Sequence, residues 1–168
     1  MTRQSREQRR SSSIVRYSLI AGIIGILIIG AGVVSFFVDQ ASRQTPFDVQ
    51  APPGAVQWGE SDVLSNSRNV YYRIPDSVEN VVNYFQQKMN EHYGDAVERC
   101  IRIPAVGEAP PAAIGQSVPF QFNCMFDHSG FRSTQYTLVV IYPGQANENP
   151  EMDAEGLTVV RYEQLWQS

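Results

Sequence analysis

The hydropathy pattern opens with one long apolar block and then changes to short alternating runs. From Tyr17 to Val38 the sequence YSLIAGIIGILIIGAGVVSFFV holds no charged residue and no proline. At 1.5 Å of rise per residue, these positions make a helix of about 33 Å, enough to cross a hydrocarbon core of about 30 Å. The pattern therefore predicts a transmembrane helix over 17–38, with the lipid bilayer as its partner. A cleaved secretory signal has a shorter apolar core of about 7–15 residues and a small-x-small site after it. Here Asp39-Gln40-Ala41-Ser42 puts polar residues where the small residue should stand, so an uncleaved signal anchor is expected. Ala21 and Gly25, like Ala31 and Ser35, share the i,i+4 spacing that lets helices approach closely. Such residues are common in spans, and the oligomeric state stays open.

Residues 39–55 are polar and turn-rich, with Pro46, Pro52, Pro53 and Gly54, and read as a stalk. Val56 to Trp58 is a short edge strand. Asn69 to Ile74 is a further strand, with Val70, Tyr72 and Ile74 on one face. The strongest periodic element follows. Val78, Val81, Val82, Phe85 and Met89 form one apolar stripe at helical spacing. Asp76 with Glu79 suggests a capping box at its start, and Gly94 a left-handed cap at its end. Asn80, Asn83, Gln86, Gln87 and Asn90 make much of its wet side.

Beyond the helix the period becomes two. Val97 to Ile103 reads as a strand and PAVGEAPPAAIGQ as a loop. In Val118 to Phe126, the residues Val118, Phe120, Phe122, Cys124 and Phe126 share a face. Asp127-His128-Ser129-Gly130 makes a turn, Phe131 to Tyr142 runs back, and an acidic loop leads to a last strand over Leu157 to Tyr162. Reversals between neighbouring strands imply an antiparallel sheet of about five strands with one helix packed on a face, an α+β fold. The expected organisation is a basic cytoplasmic tail (1–16), the span (17–38), the stalk (39–55) and an extracytoplasmic domain (56–168).

Charge adds an orientation. Residues 1–16 carry five arginines against Glu7, a net of +4, whereas the rest holds eight basic and sixteen acidic side chains, a net of −8. Basic flanks stay on the cytoplasmic side of a span, which puts the domain outside in the cell envelope. Tandem Arg9-Arg10 has the look of a twin-arginine export signal, but Ser12 and Ser13 stand where that signal carries apolar residues. An orientation signal on a flexible tail is the simpler reading. The acidic exterior disfavours nucleic acid as a partner.

Chemistry-bearing residues are few. Cys100 and Cys124 are the only cysteines, and a disulfide between them suits an oxidising exterior. By alternation, Cys124 shares its face with phenylalanines and Cys100 shares its face with Glu98 and Arg102, so the bond calls for a bulge, a strand end or a covered second face. Two buried free thiols are the alternative. Asp127, His128 and Ser129 are the residue types of a hydrolase triad, but consecutive residues at a turn point apart. His92, His128 and the cysteines lack the spacing of a zinc site. Glu148, Glu151, Asp153 and Glu155, with Asn147 and Asn149, lack the spacing of a calcium loop and read as a solvated hairpin. No glycine-rich phosphate cradle follows a strand.

No catalytic, cofactor or metal residue is therefore assigned. The expected function is a single-pass membrane protein whose outer domain binds or scaffolds another envelope or membrane protein, as an accessory subunit of a membrane complex. The alternatives are a tethered small-ligand-binding domain with its pocket between helix and sheet and, last, a hydrolase.

Overall fold

In a computed structural model, residues 4–108, 118–130 and 133–167 of the chain are described. The first element, α1 (Gln4–Ser42), runs beyond the predicted span at both ends. Arginine, glutamine, glutamate and serine are all tolerated in a helix, and a formed apolar helix needs no new nucleus to propagate into them. The expected flexible tail is thus helical from Gln4. Its Val15–Ser42 part is long and apolar enough to cross a membrane, with large side chains such as Ile26, Leu27 and Phe37 exposed. The chain divides into two compact units after Ser42, and the second holds the sheet and its helix.

That second unit contains β1 (Val56–Gln57), β2 (Asp62–Val63), β3 (Ser67–Ile74), α2 (Val78–Tyr93), β4 (Cys100–Ile103), β5 (Gln121–Asp127), β6 (Thr134–Pro143) and β7 (Thr158–Gln167). The antiparallel sheet has seven strands in the order β1-β3-β7-β6-β5-β4, with β2 also on β3, rather than the five expected. β1 falls within the edge strand expected over Val56 to Trp58, whereas β2, in the expected loop after it, is two residues long and too short for alternation to reveal. Of the expected elements, residues 109–117 of the proline-rich loop and Phe131 lie outside the described residues.

Register explains the core. Val70, Tyr162, Val139, Cys124 and Cys100 stand opposite one another across five strands, and Tyr72, Val160, Ile141, Phe122 and Arg102 form the next row. Onto these rows α2 lays Val78, Val81, Phe85 and Met89, all buried, with Val82 partly so. Its N-cap is Ser77, whose hydroxyl accepts from the Asn80 amide at 3.2 Å; Asp76, expected in that place, instead accepts from the Ser77 amide. Gly94 closes the helix at φ 72°, as predicted.

One polar residue of α2 and the supposed stalk have structural work. Gln86, expected on the wet side, takes the amides of Arg99 and Cys100 on Oε1 and donates to the Val97 carbonyl at 2.7 Å. It thereby satisfies backbone groups where β4 begins at the sheet edge. Residues 43–55 are not a free stalk. Phe47, Val49 and Ala55 pack against the core, and buried polar side chains hold the segment's backbone. Gln135 Nε2 donates to the Thr45 carbonyl and Gln164 Nε2 to the Phe47 carbonyl, each at 2.7 Å, while the Thr137 hydroxyl also donates to Phe47. The segment is a strap across the end of the sheet, and it accounts for three of the buried polar residues, Gln135, Thr137 and Gln164.

Candidate functional site

The face of the sheet opposite α2 carries Tyr71 and Arg73 from β3 and Tyr142 from β6, with buried Val159 of β7 between Arg73 and Tyr142 in register. Two loops rise beside them. The first follows β1, where Gly59 at φ 76° turns the chain and the Trp58 amide stays bonded to the Tyr71 carbonyl at 2.8 Å. The second joins β6 to β7. Its neck closes through Gly144 N to Leu157 O at 2.8 Å and Ala154 N to Gln145 O at 3.1 Å. Within it the Asn147, Asn149 and Asp153 side chains accept from backbone amides two residues on. Local bonding of that kind shapes a loop without a sheet partner.

The two loops are tied to each other. Trp58 Nε1 donates to the Glu151 carbonyl at 2.8 Å, and the Arg73 guanidinium lies 4.7 Å from the Trp58 ring centre while donating to the Asp153 carbonyl at 2.8 Å. Between them opens a cleft of about 640 Å³ lined by Trp58, Tyr71, Arg73, Tyr142 and Met152, with Glu60 and Glu151. That volume falls in the range of small-ligand sites, and three aromatic side chains, Trp58, Tyr71 and Tyr142, stand in its walls. Partial burial pushes the Tyr142 phenol above its ordinary pKa. The polar groups in the lining are two carboxylates, Glu60 and Glu151, the Arg73 guanidinium and the phenols of Tyr71 and Tyr142. Between helix and sheet, where the ligand-binding alternative expects its pocket, Phe85, Met89 and Phe126 belong to the buried core, and a smaller opening of about 290 Å³ lies where Lys88, Glu91 and His92 of α2 meet Phe126 and the strap.

The residues singled out by sequence are elsewhere. Cys100 and Cys124 pair across β4 and β5, with Cα atoms 4.2 Å apart and the sulfurs at disulfide distance. Neither a bulge nor a covered second face is needed, because Cys100 faces the core and Ile101 and Ile103 face outward. Arg102, on the Cys100 side, lies 4.6 Å from the Phe120 ring and donates to the Pro104 carbonyl, which accommodates a cation beside the core.

Asp127, His128 and Ser129 form no relay. Asp127 accepts from the Ser129 amide at 2.9 Å, and bonds from Ser129 hold its carboxyl below the usual range. His128 Nδ1 lies 2.6 Å from Gln135 Oε1. The fold brings His92 and His128, the two histidines of the chain, into one cluster with the strap's Phe47, at 5.2 and 5.3 Å from its ring centre and 6.4 Å from each other. Among the described residues no three histidine, cysteine, aspartate or glutamate side chains gather as a metal site. In the acidic loop, the Asp153 carboxylate takes the Asn147 and Glu155 amides, so the loop is internally braced rather than merely solvated.

Sequence reasoning missed the cleft because its walls come from four separate elements. The one local signal was Trp58-Gly59, an aromatic followed by a turn-former directly after a strand. No family model, curated protein or solved structure matches this chain, so what the cleft is similar to is read from its own geometry alone.

Proposed function

We propose that the chain is a single-pass membrane protein whose second unit is an extracytoplasmic binding module, with the cleft beneath Trp58 as its ligand site. The cleft is the observation that carries this reading: two loops pinned by Trp58 and Arg73 hold open an aromatic-walled volume of about 640 Å³. The topology is supported by the apolar Val15–Ser42 segment, by the arginine-rich start and by a cysteine pair suited to an oxidising compartment. The scaffolding reading draws on a different place. Ile101, Ile103 and Met125 stand exposed on the outer face of β4 and β5, the kind of apolar surface that protein partners cover.

The anchored topology is tested by protease added outside intact cells or spheroplasts, which should cut within 39–168 and spare a tag at residue 1. Protection of the C-terminal region would overturn the orientation. The cleft is tested by placing a photo-reactive benzoylphenylalanine at Met152, and separately at Glu79 on α2, in the full chain in cells. A discrete mass adduct from position 152 and none from 79 is expected. No adduct at 152, or the same adduct at both, refutes the cleft as the ligand site.

A further inference from the structure

The cleft's charge is unbalanced. Its single cation, Arg73, is already committed, stacked on Trp58 and bonded to the Asp153 carbonyl. Its two carboxylates, Glu60 and Glu151, take no hydrogen bond or ion pair among the described residues. The segments that carry them, between β1 and β3 and between β6 and β7, add Asp62, Glu148, Asp153 and Glu155 and contribute no lysine or arginine. An anionic ligand entering here meets uncompensated negative charge. A lysine or arginine side chain instead meets carboxylates and the π-faces of Tyr71 and Tyr142, both of which attract a cation.

The shape and position of the cleft narrow the source. It is open to solvent rather than enclosed, and its Trp58 directly follows β1, the terminal strand of the sheet order, whose second edge pairs with no strand among the described residues. An open trough on a sheet face suits an extended segment, which lays alternate side chains into the trough. Resting on the binding-module reading, we infer that the ligand is a basic, extended peptide segment of another protein, with lysine or arginine alternating with apolar side chains. Glu60 and Glu151 pair with its cations, and Trp58, Tyr71, Tyr142 and Met152 cover its apolar residues. The acidic balance of the whole second unit steers such a partner inward at low ionic strength.

The test uses the full chain in discs of zwitterionic lipid, with Trp166→Phe so that Trp58 is the sole tryptophan reporter. Three capped tetrapeptides are titrated: Lys-Leu-Lys-Leu, Gln-Leu-Gln-Leu and Glu-Leu-Glu-Leu. The basic peptide should shift Trp58 emission at a concentration about tenfold lower than the neutral one, the scale of two exposed ion pairs. High salt should narrow that gap. Glu60→Gln with Glu151→Gln should abolish it while leaving neutral-peptide binding in place. Equal binding of basic and neutral peptides, or tighter binding of the acidic one, overturns the charge inference and leaves the cleft standing as a site. Silence from all three peptides overturns both.

Discussion

The strap makes a sharp prediction, because a single carbonyl receives two buried donors. Gln164 is 3 % exposed and donates to the Phe47 carbonyl at 2.7 Å, while its Oε1 accepts from Arg68 Nε at 2.6 Å. Thr137, fully buried, donates to the same carbonyl. Gln164→Leu removes two good hydrogen bonds but leaves Phe47 with the Thr137 hydroxyl and Arg68 with Asp48. At about 1 kcal/mol net per bond, the loss should be about 2 kcal/mol. Thr137→Val alone should cost about 1 kcal/mol, for the same reason. The double variant strips the carbonyl of both donors, and an unsatisfied buried acceptor adds roughly 1–3 kcal/mol. The two substitutions should therefore be more destabilising together than their sum. Urea unfolding of the full chain, followed by circular dichroism, gives the three free energies. Hydrogen exchange over residues 43–50 reports whether the strap is what loosens. Strict additivity, or strap amides that already exchange freely in the parent, would refute a docked strap.

Three other perturbations have defined outcomes. A Cβ on Gly144 would sit 1.9 Å from the Ala154 carbonyl oxygen, so Gly144→Ala should lower stability by about 1–3 kcal/mol and weaken the cleft, since the β6–β7 loop must move; an unchanged urea midpoint would contradict the close approach. Reduction, or Cys100→Ala with Cys124→Ala, should cost about 3 kcal/mol for a closure spanning 24 positions, and two thiols titrating in the native, unreduced protein would exclude the bond. Asp127 has a carboxyl held low by Ser129, so its contribution is present above the unfolded-state pKa and lost as pH falls through the lower folded value. Asp127→Asn should therefore flatten the acid limb of a stability–pH curve, and an unaltered limb would show that the turn bonds carry no linkage.

What the sequence by itself determined is whatever depends on local period and chain chemistry. The long apolar helix is legible because its uninterrupted run is of the length that a bilayer core requires, and α2 because its stripe repeats every turn and Gly94 can end it cheaply. Strands β3, β5, β6 and β7 were legible by alternation, although β7 runs on to Gln167 past the expected Tyr162 because pairing with β6 carries polar residues along. The tertiary structure decided the rest. Which side of β4 faces inward depends on the register that sets Cys100 opposite Cys124, and it turned two isoleucines outward against their hydrophobicity. The strap looked like a stalk because its attachment is made by backbone carbonyls, which no side-chain pattern encodes, to glutamines and a threonine about 90 or more residues away. The cleft escaped notice for a related reason. Its walls meet only when Trp58 reaches the Glu151 carbonyl and Arg73 the Asp153 carbonyl, contacts between segments 93 and 80 residues apart that exist only once the sheet has formed.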